Sequence, residues 1–247
     1  MRKQILLAIA LFSAALGKAQ FFDTTGIGSW PVITNSYQTW MTGAFEAGRD
    51  TSDDFDFGWG YYDMASHLIS GDSIYILKTV NGNYKAISID GIASGVYTVT
   101  FSDLDKSNKV TKTFDRSTYS NRNFFYYSID NDATKDLEPA TQDWDILFTR
   151  FLTIFPGFGA YPVAGVLTNI GVEVSQVEFN PGATPSLADT VNFPMSADIS
   201  TIGYDWKSAG PSGTVIHDTI VYYVKDQAGT INELKMTGYG GSGTGDF

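Results

Sequence analysis

The sequence contains no cysteine, only two histidines among 247 residues, and fewer basic than acidic residues, 16 against 27. The absence of cysteine excludes a disulfide framework, thiolate zinc sites, iron–sulfur clusters, cysteine nucleophiles and a lipid anchor on an N-terminal cysteine. A net charge of −11 without a basic stripe argues against nucleic-acid partners. After the first twenty residues no apolar run is long enough to span a membrane.

Signatures of enzymes are missing as well. The sequence has no Gly-x-Ser-x-Gly, His-Glu-x-x-His, Walker or dinucleotide-binding glycine motif, so we expect no catalytic residues and a protein that is not an enzyme. Aspartates crowd three loops, but without the glycine and glutamate spacing of a calcium loop. We interpret them as solvated turn residues and predict no metal site there: Asp50, Asp53, Asp54 and Asp56; Asp103 and Asp105; Asp130, Asp132 and Asp136.

The first nineteen residues have the layout of a secretory signal peptide. Two positive residues precede an apolar run that ends at Leu16, and small residues then stand three positions and one position before the predicted cleavage site. The run is too short to cross a bilayer. We therefore predict cleavage between Ala19 and Gln20 and a secreted protein, either extracellular or periplasmic.

Alternation of apolar and polar residues predicts an all-β, antiparallel fold with long loops in the mature chain. The Asn81-Gly82 pair predicts a two-residue hairpin with a type I′ turn. Helical patterning of useful length is missing after the signal peptide. Eight segments are predicted strands: Ser73–Thr79, Tyr84–Ile89, Val96–Phe101, Asn123–Ile129, Trp144–Leu152, Val172–Phe179, Thr219–Lys225 and Ile231–Thr237.

One pattern occurs twice in the chain. In each copy a Gly-Tyr pair precedes a strand that ends in lysine. A turn glycine follows four residues after that lysine, and a second strand then ends in glycine. The two copies align without a gap from Lys78 and Lys225 onward. We interpret this as a duplicated hairpin. The prediction is a single domain over residues 20–247, with related halves at about 20–110 and 111–247 and both hairpins in one sheet system.

Three segments resemble the HmuY family, the secreted haem-binding proteins of Bacteroidetes-type bacteria. They are the Trp-Asp strand 143–151, the Tyr-Pro-Val-Ala-Gly segment 161–172 and the closing hairpin 202–235. The resemblance implies an all-β fold whose loops hold haem between axial His or Met ligands. It implies one ligand in the loop 206–213, about where Ser208 stands, and another within 177–195, where Met195 is the soft donor.

The expected function is therefore non-catalytic capture of haem for iron acquisition. Imidazole and thioether groups are suitable axial ligands, and four candidates are named on that ground: His67, His217, Met195 and Met64. The two histidines occupy comparable places in the two copies of the repeat. Expected partners are haem and an outer-membrane haem receptor or a host haem carrier. The alternative is a secreted glycan- or protein-binding surface module that has lost haem ligation.

Overall fold

The computed structural model describes residues 7–9, 22–155, 157–210 and 213–241. The predicted cleavage site between Ala19 and Gln20 lies outside the described residues. Of the predicted signal peptide, only Leu7–Ile9 is described, as a strand. No helix within the described ranges is long and apolar enough to cross a membrane.

The described residues are almost entirely β-structure, and every strand pair among them is antiparallel. This confirms the predicted all-β antiparallel fold. In chain order the strands are β1 (Leu7–Ile9), β2 (Gly60–Asp63), β3 (Leu68–Gly71), β4 (Ile74–Lys78), β5 (Tyr84–Ala93), β6 (Val96–Asp103), β7 (Val110–Asp115), β8 (Tyr126–Ser128), β9 (Ala133–Lys135), β10 (Ile146–Phe155), β11 (Gly159–Thr168), β12 (Glu173–Glu178), β13 (Lys207–Gly210), β14 (Gly213–Ile216), β15 (Ile220–Lys225) and β16 (Ile231–Leu234). Short 3-10 helices occur at Ile27–Ser29, Ala44–Glu46, Arg116–Tyr119, Thr141–Asp143 and Leu187–Val191.

The chain divides into two compact units rather than one continuous body. Unit 1 comprises Met1–Asn35 with Thr42–Glu138, and unit 2 comprises Ser36–Met41 with Pro139–Phe247. The boundary after residue 138 differs from the predicted division at 110–111. The reason is that β7 pairs with β6 along its whole length, which keeps the residues beyond 110 in the sheet of unit 1.

Unit 1 is built around a seven-stranded sheet whose central strand is β5. One edge of β5 pairs first with β4 and then with β3, and its other edge pairs with β6. The register shifts between Ile89 and Gly91, so Asp90 is left unpaired as a bulge. Apolar side chains of these strands and of the preceding loop form the core: Ile33, Ala44, Trp59, Tyr75, Ile87, Ile89, Val99 and Phe101.

The Tyr75 hydroxyl ties the preceding loop to the core of unit 1. It donates hydrogen bonds to the carbonyl oxygens of Phe45 at 2.7 Å and Gly58 at 3.2 Å. The Tyr75 side chain is 1% exposed, and burial raises its pKa to about 12 because a buried phenolate is disfavoured. The phenol must stay protonated to donate its single hydrogen, which the two carbonyl oxygens share.

We expect this tyrosine to make stability fall at alkaline pH. Its pKa is higher in the folded chain than the value of about 10 in an unfolded one, so its contribution is complete below pH 10 and is lost as pH rises towards about 12. Urea denaturation at a series of alkaline pH values checks this. The free energy of unfolding should fall less steeply with pH in Tyr75→Phe than in the unaltered protein. An equal fall in the two proteins would contradict the prediction.

Unit 2 contains a three-stranded sheet in the order β12–β15–β16 and two separate two-stranded sheets, β10–β11 and β13–β14. Strand β11 is joined to the loop before β13 by a reciprocal backbone pair between Val166 and Gly203, at 2.8 and 3.1 Å. The core lies between these elements and consists of Val166, Val172, Val174, Ile202, Trp206, Ile220, Tyr222, Val224 and Met236.

The two hairpins of the predicted repeat have equal register. Lys78 pairs with Tyr84 at the end of β4–β5, and Lys225 pairs with Ile231 at the end of β15–β16. Tyr222 occupies the place of Tyr75, is fully buried and donates its hydroxyl hydrogen to the Ile202 carbonyl oxygen at 3.3 Å. The hairpins lie in different sheets and different units, so the expectation of one sheet system was wrong.

The turns of the two hairpins also match each other but differ from the predicted type I′ turn. Gly82 donates to the Thr79 carbonyl and Gly229 to the Asp226 carbonyl, both at 2.9 Å. These glycines have φ values of +88° and +87°, whereas Asn81 is not in the left-handed region. Each of the two turns is therefore longer than a two-residue type I′ turn. It contains one left-handed glycine, which forms a bulge before the second strand.

Each of the eight predicted strands overlaps an observed strand, but several observed strands were not predicted. Seven of them (β1, β2, β3, β7, β9, β13 and β14) span six residues or fewer. Strands this short contain at most three positions per face, too few for alternation to stand out. The longer β11 was noted only as part of the segment 161–172.

Candidate functional site

The hairpin β2–β3 carries two of the four predicted ligands on one turn. Asp63 pairs with Leu68, which leaves a four-residue turn that begins at Met64 and ends at His67. The His67 N–H donates to the Asp63 carbonyl oxygen at 2.8 Å. His67 has φ +58°, a left-handed conformation that is uncommon for residues other than glycine but enriched for histidine. The turn therefore presents the imidazole at an exposed end of unit 1.

A tyrosine on the adjacent strand orients the His67 ring. The Tyr62 hydroxyl oxygen lies 2.7 Å from Nδ1 of His67. When Nδ1 carries the ring proton and donates it to the phenol oxygen, Nε2 keeps its lone pair and faces away from the tyrosine. In that tautomer one ring nitrogen is held by an oxygen and the other has a lone pair available, as in histidines that bind metals.

Tyr62 is itself held by a stacked neighbour. The rings of Phe55 and Tyr62 are 5.8 Å apart and 11° from parallel. The neighbouring Tyr61 hydroxyl donates to a carboxylate oxygen of Asp53 at 3.0 Å. The carboxylate raises the Tyr61 pKa by accepting that hydrogen bond. Two aromatic rings and one hydrogen bond thus restrict the strand that supports His67.

Several apolar side chains of the hairpin that carries His67 are exposed to solvent. Met64 is 65% exposed, Tyr61 49% and Leu68 42%. Met64 thus shares the exposed turn with His67, and its thioether has no packing role in the core of unit 1. A flat apolar ligand resting on this end of the hairpin would cover side chains that water otherwise contacts.

The other two predicted ligands lie in unit 2 and are more enclosed. Met195 packs against the small cluster formed by Val177, Val221 and Tyr223. His217 follows β14, is half-buried, and its backbone N–H donates to the Trp206 carbonyl oxygen at 2.9 Å. Each unit thus contains one of the histidines and one of the candidate methionines.

The segment expected to be a ligand-bearing loop around Ser208 is a strand instead. Ser208 lies in β13, where it pairs with Val215 of β14, and its side chain is exposed. The pairing explains the difference, because Lys207–Gly210 and Gly213–Ile216 satisfy each other's backbone groups.

The aspartates of the first acidic loop are engaged by their own loop. Asp50 accepts from Ser52, Asp53 from the Phe55 N–H, and Asp56 from the backbone N–H groups of Asp50 and Gly58. Within the described ranges, no three carboxylate or imidazole side chains converge in a group able to hold a metal ion.

A small pocket lies in unit 2, beside the loop that precedes β13. Its volume is about 110 Å³, below the range of about 300–1,000 Å³ typical of pockets for drug-sized ligands. Three aromatic side chains, two hydroxyl side chains and one carboxylate line it, together with one glycine: Tyr37, Phe151, Tyr204, Thr153, Ser200, Asp205 and Gly203.

Sequence reasoning named His67 and Met64 but missed Tyr62 and Phe55. The signal lay in the register of the hairpin, because the four-residue turn brings its last residue, His67, close to Tyr62 of β2. That register was not predicted, because β2 and β3 have four residues each.

Compared with known proteins, the chain matches no family model, no characterised protein and no solved structure.

Proposed function

We propose that this protein is an exported, non-catalytic haem-binding protein in which His67 is the iron ligand. The observation that carries the proposal is the 2.7 Å contact between the Tyr62 oxygen and Nδ1 of His67 on an exposed turn. When Nδ1 is the donor in this contact, Nε2 is free to bind iron. The resemblance of three segments to secreted haem-binding proteins agrees with this function.

The surroundings of His67 suit a porphyrin better than a hydrated metal ion. A porphyrin is flat and apolar, and the exposed Met64 side chain shares the turn with His67. Because Met64 and His67 project from the same turn, both would approach a haem from one side. We therefore expect a single protein ligand per haem, with the opposite axial position open to water.

Titration of the mature protein with haemin tests the proposal. We expect a saturable change in the Soret absorbance at one haem per chain, and a further change to a low-spin spectrum when free imidazole fills the open position. His67→Ala should abolish the saturable change. Tyr62→Phe removes the acceptor for Nδ1 and should weaken binding by about 10–100-fold, the usual effect of losing such a partner.

His217→Ala is the matched control, because it removes the other histidine of the chain. Its titration should equal that of the unaltered protein. Loss of binding in His217→Ala with retention in His67→Ala would overturn the assignment of the ligand. A spectrum of free haemin throughout the titration would overturn the function itself.

The pocket in unit 2 favours a second candidate function, recognition of a glycan. Aromatic rings that stack on a sugar face, with hydroxyl and carboxylate groups that accept its hydroxyl hydrogens, form a lining of this composition. Thermal-shift measurements with simple monosaccharides test it. A rise in melting temperature that disappears in Tyr204→Ala but persists in His67→Ala would assign this activity to the pocket.

A further inference from the structure

The outer end of the hairpin β10–β11 exposes an unusual amount of apolar surface. Its four large side chains, here called the apolar tip, are Ile154, Phe155, Phe158 and Tyr161, with exposures of 61%, 37%, 77% and 51%. Phe155 contacts both other rings, with centroids 5.9 Å from Phe158 and 5.8 Å from Tyr161. The largest apolar patch on a soluble protein is often a functional surface.

The hairpin also lacks negative charge in a strongly acidic chain. Residues 146–168 contain no aspartate or glutamate and a single basic residue, Arg150, whereas the whole chain carries a net charge of −11. Residues 154–161, which include the apolar tip, contain no charged side chain.

The tip is a narrow projection and not a broad face. The sheet β10–β11 has two strands, and neither strand is paired on its outer edge at the tip within the part of the chain described. Thr153 pairs with Tyr161 and Phe155 with Gly159, and the Phe158 N–H donates to the Phe155 carbonyl oxygen to close the turn. At about 3.3 Å per residue, the part beyond Thr153 projects about 10 Å.

From these observations we propose that the apolar tip inserts into the interfacial region of a lipid bilayer. Apolar side chains that bind at this interface are buried to a depth of about 5–10 Å, which matches the projection. At that depth water still reaches the unpaired strand edges, so their backbone groups stay hydrogen-bonded. Aromatic rings are favoured at the same level.

A second copy of the chain fits the tip less well. Four side chains with these exposures offer about 450 Å² if each has about 200 Å² in full. A stable protein interface needs about 800 Å² per partner and a complementary surface. A bilayer requires no complementary shape, and it accepts apolar groups from a narrow projection.

Vesicle flotation tests the proposal with the mature protein and phosphatidylcholine vesicles. We expect the protein to float with these vesicles and to bind less to vesicles that also contain phosphatidylglycerol, because the acidic chain is repelled. Phe158→Ser should lower the partition coefficient by about tenfold or more, the effect of removing one buried aromatic side chain. Phe158 is exposed, so the substitution leaves the fold intact.

Val191→Ser is the matched control, since Val191 is 85% exposed but lies outside the hairpin. It should float like the unaltered protein. Absence of flotation, or equal flotation of Phe158→Ser and Val191→Ser, would overturn the proposal. A concentration-dependent dimer that Phe158→Ser abolishes, without vesicle binding, would overturn it in favour of a second copy. The inference does not rest on haem binding: His67→Ala should float normally, and Phe158→Ser should titrate normally with haemin.

Discussion

Trp206→Ala is expected to lower the free energy of unfolding of unit 2 by about 3–5 kcal/mol, the range for removing a buried tryptophan from a core. Trp206 is 1% exposed and packs in the cluster formed with Val166, Ile202 and Tyr222. Its Nε1–H donates to the Gly203 carbonyl oxygen at 3.3 Å, which fixes the loop before β13. Urea denaturation monitored by circular dichroism measures the loss.

The neighbouring Lys207 adds to the loss of stability expected when the Trp206 ring is removed. The ammonium group of Lys207 lies 3.9 Å from the Trp206 ring centroid and 4.7 Å from that of Tyr239, and it donates to the Ala164 carbonyl oxygen at 2.5 Å. Burial lowers the pKa of Lys207 to about 8. Alanine at position 206 would remove one of the two aromatic faces that stabilise the charged amine.

Phe158→Ala provides the control for this prediction, since it removes a large aromatic side chain of the same unit that is 77% exposed. Its effect should stay within about 0.5 kcal/mol, as for most surface substitutions. Similar losses in Trp206→Ala and Phe158→Ala would contradict the assignment of the core. The transition of unit 1 should be unchanged in both variants.

Gly71→Ala is expected to destabilise unit 1 by about 3 kcal/mol or more, at the upper end of overpacking effects. A Cβ atom at Gly71 would lie 1.8 Å from the Ile89 carbonyl oxygen and 2.9 Å from its carbonyl carbon. Both are backbone atoms, so no side chain can move aside. The strand would have to shift where Asp90 bulges from β5.

The matched control is Gly28→Ala, where a Cβ atom would meet nothing within 4 Å and the backbone is not left-handed. This change should be neutral to within about 0.5 kcal/mol. Thermal unfolding of both variants measures the difference. A Gly71→Ala protein as stable as Gly28→Ala would show that β3 does not approach β5 as closely as described.

Asn169 has a structural role in unit 2 that can be stated from contacts alone. Asn169, which is 1% exposed, donates through its side-chain amide to the carbonyl oxygens of Thr141 and Trp144, both at 2.6 Å. Its backbone N–H donates to the Asp145 carbonyl oxygen at 2.8 Å. The asparagine thus joins the end of β11 to the start of β10.

Much of the candidate site was within reach of the sequence, and part was not. The donor types at Met64 and His67 are plain in the chain, as is their separation by two residues. Their presence on one turn depends on the pairing of Asp63 with Leu68, and the contact with Tyr62 depends on the same register. Four-residue strands carry too little alternation for that register to be inferred.

The amino-acid sequence by itself determined the β class, the antiparallel hairpins and the matching glycine turns at Gly82 and Gly229. These features follow from period-two alternation and from the need for glycine at a left-handed position, and both act between near neighbours in the chain. Tertiary structure alone decided the division after residue 138, the partial burial of Met195 and the exposure of the apolar tip. Such properties depend on which distant segments cover a side chain, and no local pattern of residues encodes that choice.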